Sequence, residues 1–196
     1  VGFSGVRGYN GPIYDSGFGF NLPRQEVVDA FNDNDLRKQL SILDIEAWAA
    51  ETGADFRIGN QDPVTGHTGF YNRKYIPRKN DDRASDPNLT HPNNYRAIRY
   101  ADVLLMAAEA LNRKNSPNDE LARNYINQIR ERAGLNTVSS SGAQLLDDIY
   151  LQRRLELVGE GHRFFDLVRT GRAAQEIEGF QTGKNEIFPI PLEEIQ

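Results

Sequence analysis

The 196-residue chain contains no cysteine. That excludes disulfide scaffolds, cysteine-ligated zinc, iron–sulfur clusters and thiol catalysis, and it removes any redox clue to the compartment. Histidine is nearly as scarce. His67, His91 and His162 lie in separate segments without H-x-H or H-x-x-x-H spacing, so no metal site is expected. Long apolar runs are missing too. The most apolar stretch, Ala101 to Leu111, is broken by Asp102 and Glu109, and no membrane-spanning helix is expected. Nor is there an excess of positive charge: 23 basic residues against 28 acidic ones leave a net charge of −5. Nucleic-acid binding needs a basic face to replace phosphate counterions and is not expected. There is no P-loop and no G-x-S-x-G elbow, the motifs that would announce phosphate binding or a serine nucleophile. Gly17-Phe-Gly19 opens like a dinucleotide fingerprint, but Leu22 stands where the third glycine belongs. No cofactor is therefore expected. Val1 opens the chain without a basic or apolar leader, and the chain is read as a fragment of a longer protein.

What is present falls into two textures. Residues 1–95 hold most of the glycine, proline, asparagine and aromatics. They read as a loop-rich portion. Pro23 opens a helix there, with Val27, Val28 and Phe31 at helical spacing, and a second helical stretch is expected around Leu40 to Ala50. Phe70 to Ile76 alternates large and polar side chains as a strand does. Residues 96–196 are rich in helix formers. Ala97, Ala101, Leu104, Ala108 and Leu111 mark one helix face. Ser116 and Pro117 read as the cap and first position of the next helix, with Asp119 near the capping-box site. Ala122, Tyr125, Ile126, Ile129 and Ala133 form its apolar stripe, and Gly134 stops it. Two further helices are expected, from about Ala143 to Gly159 and from about His162 to Thr170, followed by an extended Phe188-Pro-Ile-Pro191. The expected fold is mainly α: a tetratricopeptide-like helix hairpin of roughly 34 residues, further packed helices, and a loop-rich segment with short strands. A lone repeat cannot bury its own face, so partner repeats, or the later helices, must cover it.

Candidate chemistry is sparse. Asp81, Asp82, Asp86 and Asn88 share a loop but lack EF-hand spacing. Glu156 and Glu160 sit one turn apart, as an acid/base pair might. Arg153, Arg163 and Asp166 lie at i, i+3 spacings around them, which predicts ion pairs. Paired carboxylates stay ionised, which is wrong for a general acid, so this segment is expected to be a structural latch across the Gly159–Gly161 break and no catalytic residue is assigned. The remaining signal is aromatic. Tyr9, Tyr14, Phe18, Phe20 and Trp48 fall in or near Gly/Asn-rich segments, with Asn10 and Asn21 beside them. Such rings stack on the apolar faces of sugars while amides reach the hydroxyls. Alternatively, they fill the core under a long loop.

Four motifs carry a family resemblance. Ile98-Arg-Tyr-Ala-Asp-Val-Leu-Leu-Met-Ala-Ala-Glu-Ala-Leu-Asn112 and Tyr125-Ile-Asn-Gln-Ile-Arg-Glu-Arg-Ala-Gly-Leu135 form the first. Gln152-Arg-Arg-Leu-Glu-Leu-Val-Gly-Glu-Gly-His162 running on to Gly171 is the second, Phe188 to Ile195 the third, and Pro23 to Phe31 with Asp35-Leu-Arg37 the fourth. Together they resemble the C-terminal portion of SusD/RagB-type proteins, over about residues 20–196. The resemblance implies a surface lipoprotein of the outer membrane of Bacteroidetes-type bacteria. Such a protein binds an oligosaccharide, or sometimes a peptide, and sits as a lid on a SusC-like TonB-dependent transporter. It implies no enzymatic activity, and membrane contact only through a lipid anchor outside this chain. The family's shared motifs are structural, so the resemblance assigns no ligand-contacting residue. Two other readings compete. One is a helical-repeat scaffold for protein partners, without a small-molecule ligand. The other is a glycosidase, which needs two carboxyls of separated pKa facing a cleft.

Overall fold

The computed structural model describes residues 4–57, 67–81 and 93–195. The chain forms two compact units, Val1–Gly159 and Glu160–Gln196. The change of texture at residue 95 lies inside the first.

The centre of the first unit is a helix trio: α4 (Tyr100–Arg113), α5 (Asp119–Arg132) and α6 (Gly142–Glu156). α4 and α5 pack as the expected hairpin, and both pack on α6. Ala101, Ala108 and Ala122 are buried with Leu104, Leu105, Ile126, Ile129, Leu145 and Ile149 in one core. Small side chains at the crossing let the helix backbones approach, and the larger ones fill the space around them. Both helix starts differ from the expected ones. α4 begins at Tyr100, so Ala97 precedes the helix and is exposed. α5 is capped by Asn118 rather than Ser116, because the Asn118 side chain accepts a hydrogen bond from the Leu121 N–H. At the other end, Gly134 takes φ +75° and the Leu135 N–H reaches the Arg130 carbonyl, which closes the last turn.

Before the trio come α1 (Gln25–Asp29), α2 (Leu36–Ser41), β1 (Ile42–Asp44), α3 (Ile45–Thr52) and β2 (Phe70–Asn72). The helical stretch expected around Leu40 to Ala50 is split by β1, because Ile42 and Leu43 pair with β2. β2 itself stops at Asn72, short of the expected Ile76. The strands run antiparallel with Leu43 opposite Tyr71. Alternation sends Leu43 and Tyr71 into a core with Val6, Tyr9, Tyr14, Ile45 and Ile76. Ile42 points the other way, into a core with Val28, Phe31 and Leu155 of α6. The two-stranded ribbon therefore divides two cores, and α6 joins one of them to the helix trio.

The second unit holds α7 (Arg163–Arg169) and α8 (Ala173–Glu176), closed by a 3₁₀ turn at Leu192–Glu194. Gly171 ends α7 as expected: the Arg172 N–H bonds to the Leu167 carbonyl across it. Phe188 to Pro191 carries no regular secondary structure, and Phe188 is 94% exposed. Among the described residues no helix is long and apolar enough to cross a membrane.

Candidate functional site

The aromatic loop region is held by backbone pairing at long range. Gly17 N–H bonds to the Val6 carbonyl, Gly19 N–H to Gly5, and Asp15 N–H to Pro77. The approach is close enough that a Cβ on Gly5 would lie 2.8 Å from the Gly17 Cα, so only glycine fits. This folding turns some rings inward and leaves others out. Tyr14 is 1% exposed and Tyr9 6%. The Tyr9 hydroxyl donates to the Pro12 carbonyl and accepts from Trp48 Nε1. Tyr14 stacks obliquely on Trp48 at 5.6 Å between centroids, and its hydroxyl accepts from Arg73 Nε. The Arg73 guanidinium lies 5.9 Å from both ring centres, at cation–π distance. Tyr9 and Tyr14 are therefore core rings with satisfied hydroxyls, and a sugar cannot stack on them in this arrangement. Trp48, on α3 rather than in a loop, is half-buried.

Phe18 and Phe20 are the rings that face outward, 41% and 53% exposed. Their centroids are 6.5 Å apart and their planes 39° apart. The Arg7 guanidinium donates to the Phe18 carbonyl and fixes the loop between them. The Asn10 side chain is exposed, while its backbone pairs with Asp55. Asn21 has a structural role: at φ +57°, its amide donates to the Gly159 carbonyl. Asn72 donates to the same oxygen. No local signal separates inward rings from outward ones, since pairings such as Tyr14 with Arg78 decide it. Arg73 carries no sequence signal for the same reason: its partners Tyr14, Trp48 and Gln39 are remote along the chain.

The charged segment is wired differently from the expected latch: its bridges lie within each of the two units. Arg153 reaches Asp102 on α4 at 2.6 Å in a buried pair. Glu156 accepts from Arg99 at 2.7 Å, Arg132 at 2.6 Å and Arg37 at 3.3 Å. Arg37 also binds Asp35 and Gln152, and Lys74 donates to the Glu156 carbonyl. Burial is the largest single influence on the Glu156 carboxyl and pushes its pKa up. The hydrogen bonds and charges of Arg99 and Arg132 together outweigh it, so the carboxyl titrates below its usual range. A carboxyl held ionised by three guanidinium groups is a tether and not a proton donor. In the second unit Arg163 pairs with Glu176, and Asp166 with Arg169. Glu160 is buried, 5% exposed.

Among the described residues no group of three His, Asp or Glu side chains could hold a metal. His91, Asp82, Asp86 and Asn88 lie outside the described residues.

A helix hairpin docked on a third helix, whose end is clamped to the aromatic loop region through the Gly159 carbonyl, defines a tetratricopeptide-like α-helical protein. The chain belongs to the SusD family, whose sequence model matches residues 23–191. SusD-like protein P25 of Formosa agariphila is 32% identical over 95% of this chain and 34% of its own length. A solved laminarin binding SusD-like protein is 40% identical, with a TM-score of 0.82 over 98% of this chain and 41% of its own. Surface glycan-binding protein A from Bacteroides thetaiotaomicron, solved in complex with laminarihexaose, is 31% identical, with a TM-score of 0.73 over 98% of this chain and 43% of its own. The chain thus spans well under half the length of each.

Proposed function

We propose that the chain is part of a surface glycan-binding protein. It captures an oligosaccharide on the cell-surface side of the outer membrane and delivers it to a SusC-like TonB-dependent transporter. A lipid anchor elsewhere in the full-length protein holds it to the membrane, and it performs no catalysis. The observation that carries the reading is the 40% identity to a laminarin binding protein across 98% of this chain. Laminarin-type oligosaccharides are accordingly the first ligands to test. The outward pair Phe18 and Phe20 supports it as a stacking platform, with the exposed Asn10 amide as a polar partner. The caged Glu156 supports the absence of acid/base chemistry.

The test is calorimetry on the full-length protein with laminarihexaose, cellohexaose and maltohexaose. Replacing either phenylalanine by alanine removes a stacking ring, on the order of 1–3 kcal/mol, or a roughly ten- to hundredfold loss of affinity. Melting temperature should stay unchanged, because both rings are half-exposed. Unaltered binding by the Phe18→Ala/Phe20→Ala variant moves the platform elsewhere. Silence of the parent with every glycan overturns the assignment. Copurification of the transporter with the full-length protein tests delivery.

A further inference from the structure

An open cleft of about 720 Å³ lies between α1, α2 and α3, bordered by Trp48, Phe70 and Arg73. That is the size of a small-molecule site. Neither Phe18 nor Phe20 belongs to its lining. Its architecture is preorganised. The indole N–H of Trp48 is tied to Tyr9, and Arg73 donates to the Gln39 carbonyl at 2.8 Å, so one wall and the ring beside it are fixed. Leu36, 48% exposed, supplies apolar surface, while the side chains of Asn34, Gln39 and Glu51 are exposed at the rim.

The charges select the ligand. Asp29, Asp33, Asp35, Asp44 and Glu51 line the cleft against Lys38 and Arg73. Several of these carboxylates are engaged locally: Asp29 accepts from Gln25, Asp44 from the Ala47 N–H, and Asp35 from Arg37. Arg37 offsets the charge of Asp35 and Lys38 stands 4.0 Å from Asp33, while the hydrogen bonds to Asp29 and Asp44 leave their charges in place, so Asp29, Asp44 and Glu51 keep the field of the cleft negative. A sulfated or uronate-bearing chain would enter against that field, with no arginine cluster to receive it. Hydroxyl groups, which both donate and accept, match the rim amides and Glu51. The half-buried rings of Trp48 and Phe70 suit the C–H face of a sugar ring.

We propose that this cleft is a second glycan subsite, separate in residues from the Phe18/Phe20 platform and selective for uncharged sugar units. The proposal rests on the glycan-binding reading, and the experiment separates the two. Trp48 is the single tryptophan of the 196-residue chain, so its fluorescence reports the cleft alone. The 196-residue chain is titrated with laminarihexaose, cellohexaose, maltohexaose and a sulfated laminarin, by fluorescence and by calorimetry in parallel.

The expected result is a saturable change in Trp48 emission with a neutral hexasaccharide and none with the sulfated polymer. The change persists in Phe18→Ala/Phe20→Ala and weakens at least tenfold in Gln39→Ala/Glu51→Ala. Those two side chains are exposed, and circular dichroism should show the variant folded as the parent is. Calorimetric heat without any emission change overturns the cleft and leaves the glycan-binding reading standing. An emission change that persists in full in Gln39→Ala/Glu51→Ala, or one produced equally by sulfated laminarin or by a lysine-rich peptide, also overturns the cleft. Silence in both measurements, together with silence of the full-length protein, overturns both proposals.

Discussion

The helix trio and the loop region before it satisfy their backbones in opposite ways. In α4, α5 and α6 the N–H groups beyond the first turn find their partners one turn away, and the apolar stripes then bring the helices together. From residue 4 to residue 22 the partners are remote: Gly19 with Gly5, Asp15 with Pro77, Asn10 with Asp55. The trio is stabilised mainly by apolar burial. The loop region buries Val6, Tyr9 and Tyr14 as well, but is also clamped by single polar side chains reaching single carbonyls, as Asn21 and Asn72 do at Gly159. A core residue and a clamp residue should therefore fail in different ways.

The largest effect is expected in the trio. Leu105 is fully buried between the helices, and Leu105→Asp places a carboxylate there without a partner, which should abolish folding. Circular dichroism and solubility read the outcome; a soluble variant with unchanged melting would contradict the packing of α4.

Next comes the bridge cluster at the end of α6. Glu156→Gln removes one negative charge facing Arg37, Arg99 and Arg132, and should cost about 3–5 kcal/mol in denaturant unfolding. The sign with pH follows from the lowered pKa. Stability from Glu156 is fully present above its unfolded value of about 4.3, and it is lost as pH falls through the lower folded value. The Gln variant should lose this share of the acid dependence; an unchanged acid limb would mean the bridges carry little.

A smaller effect isolates the loop clamp. Gly159 sits at φ +73°, and a Cβ there would lie 2.2 Å from the Asn72 amide nitrogen. Gly159→Ala should destabilise by more than about 1 kcal/mol, and alanine at a position with negative φ serves as the control. The smallest test belongs to the trio again. Asn118→Ala removes the α5 cap and should cost about 1 kcal/mol, while Ser116→Ala should cost almost nothing. Equal losses would restore Ser116 as the cap.

The same contrast explains what could be read from residues alone. The hairpin was legible because Ala101, Leu104, Ala108 and the Tyr125–Ile129 stripe repeat at helical spacing, and Gly134 and Gly171 mark true ends. Asn118 was harder, since Ser116-Pro117 offers the same chemistry two residues earlier. Burial of Tyr9 and Tyr14 beside exposure of Phe18 and Phe20 was not legible. These rings have the same local setting and differ only in their tertiary partners. The Glu156 bridges were hidden likewise: Arg153 is the near neighbour by spacing, yet Arg37, Arg99 and Arg132 are the partners.

Those bridges bear on the order of assembly. Glu156 meets Arg37 across 119 residues of chain, Arg99 across 57 and Arg132 across 24. Loop closure must be complete before contacts of such separation form, so they reward only the finished unit. Contacts absent from the folding transition state slow unfolding without speeding folding. Glu156→Gln is therefore expected to speed unfolding more than it slows folding, which stopped-flow unfolding and refolding rates would read. In the proposed cell-surface role, beyond the reach of cytoplasmic chaperones, slow unfolding protects the protein better than rapid refolding does.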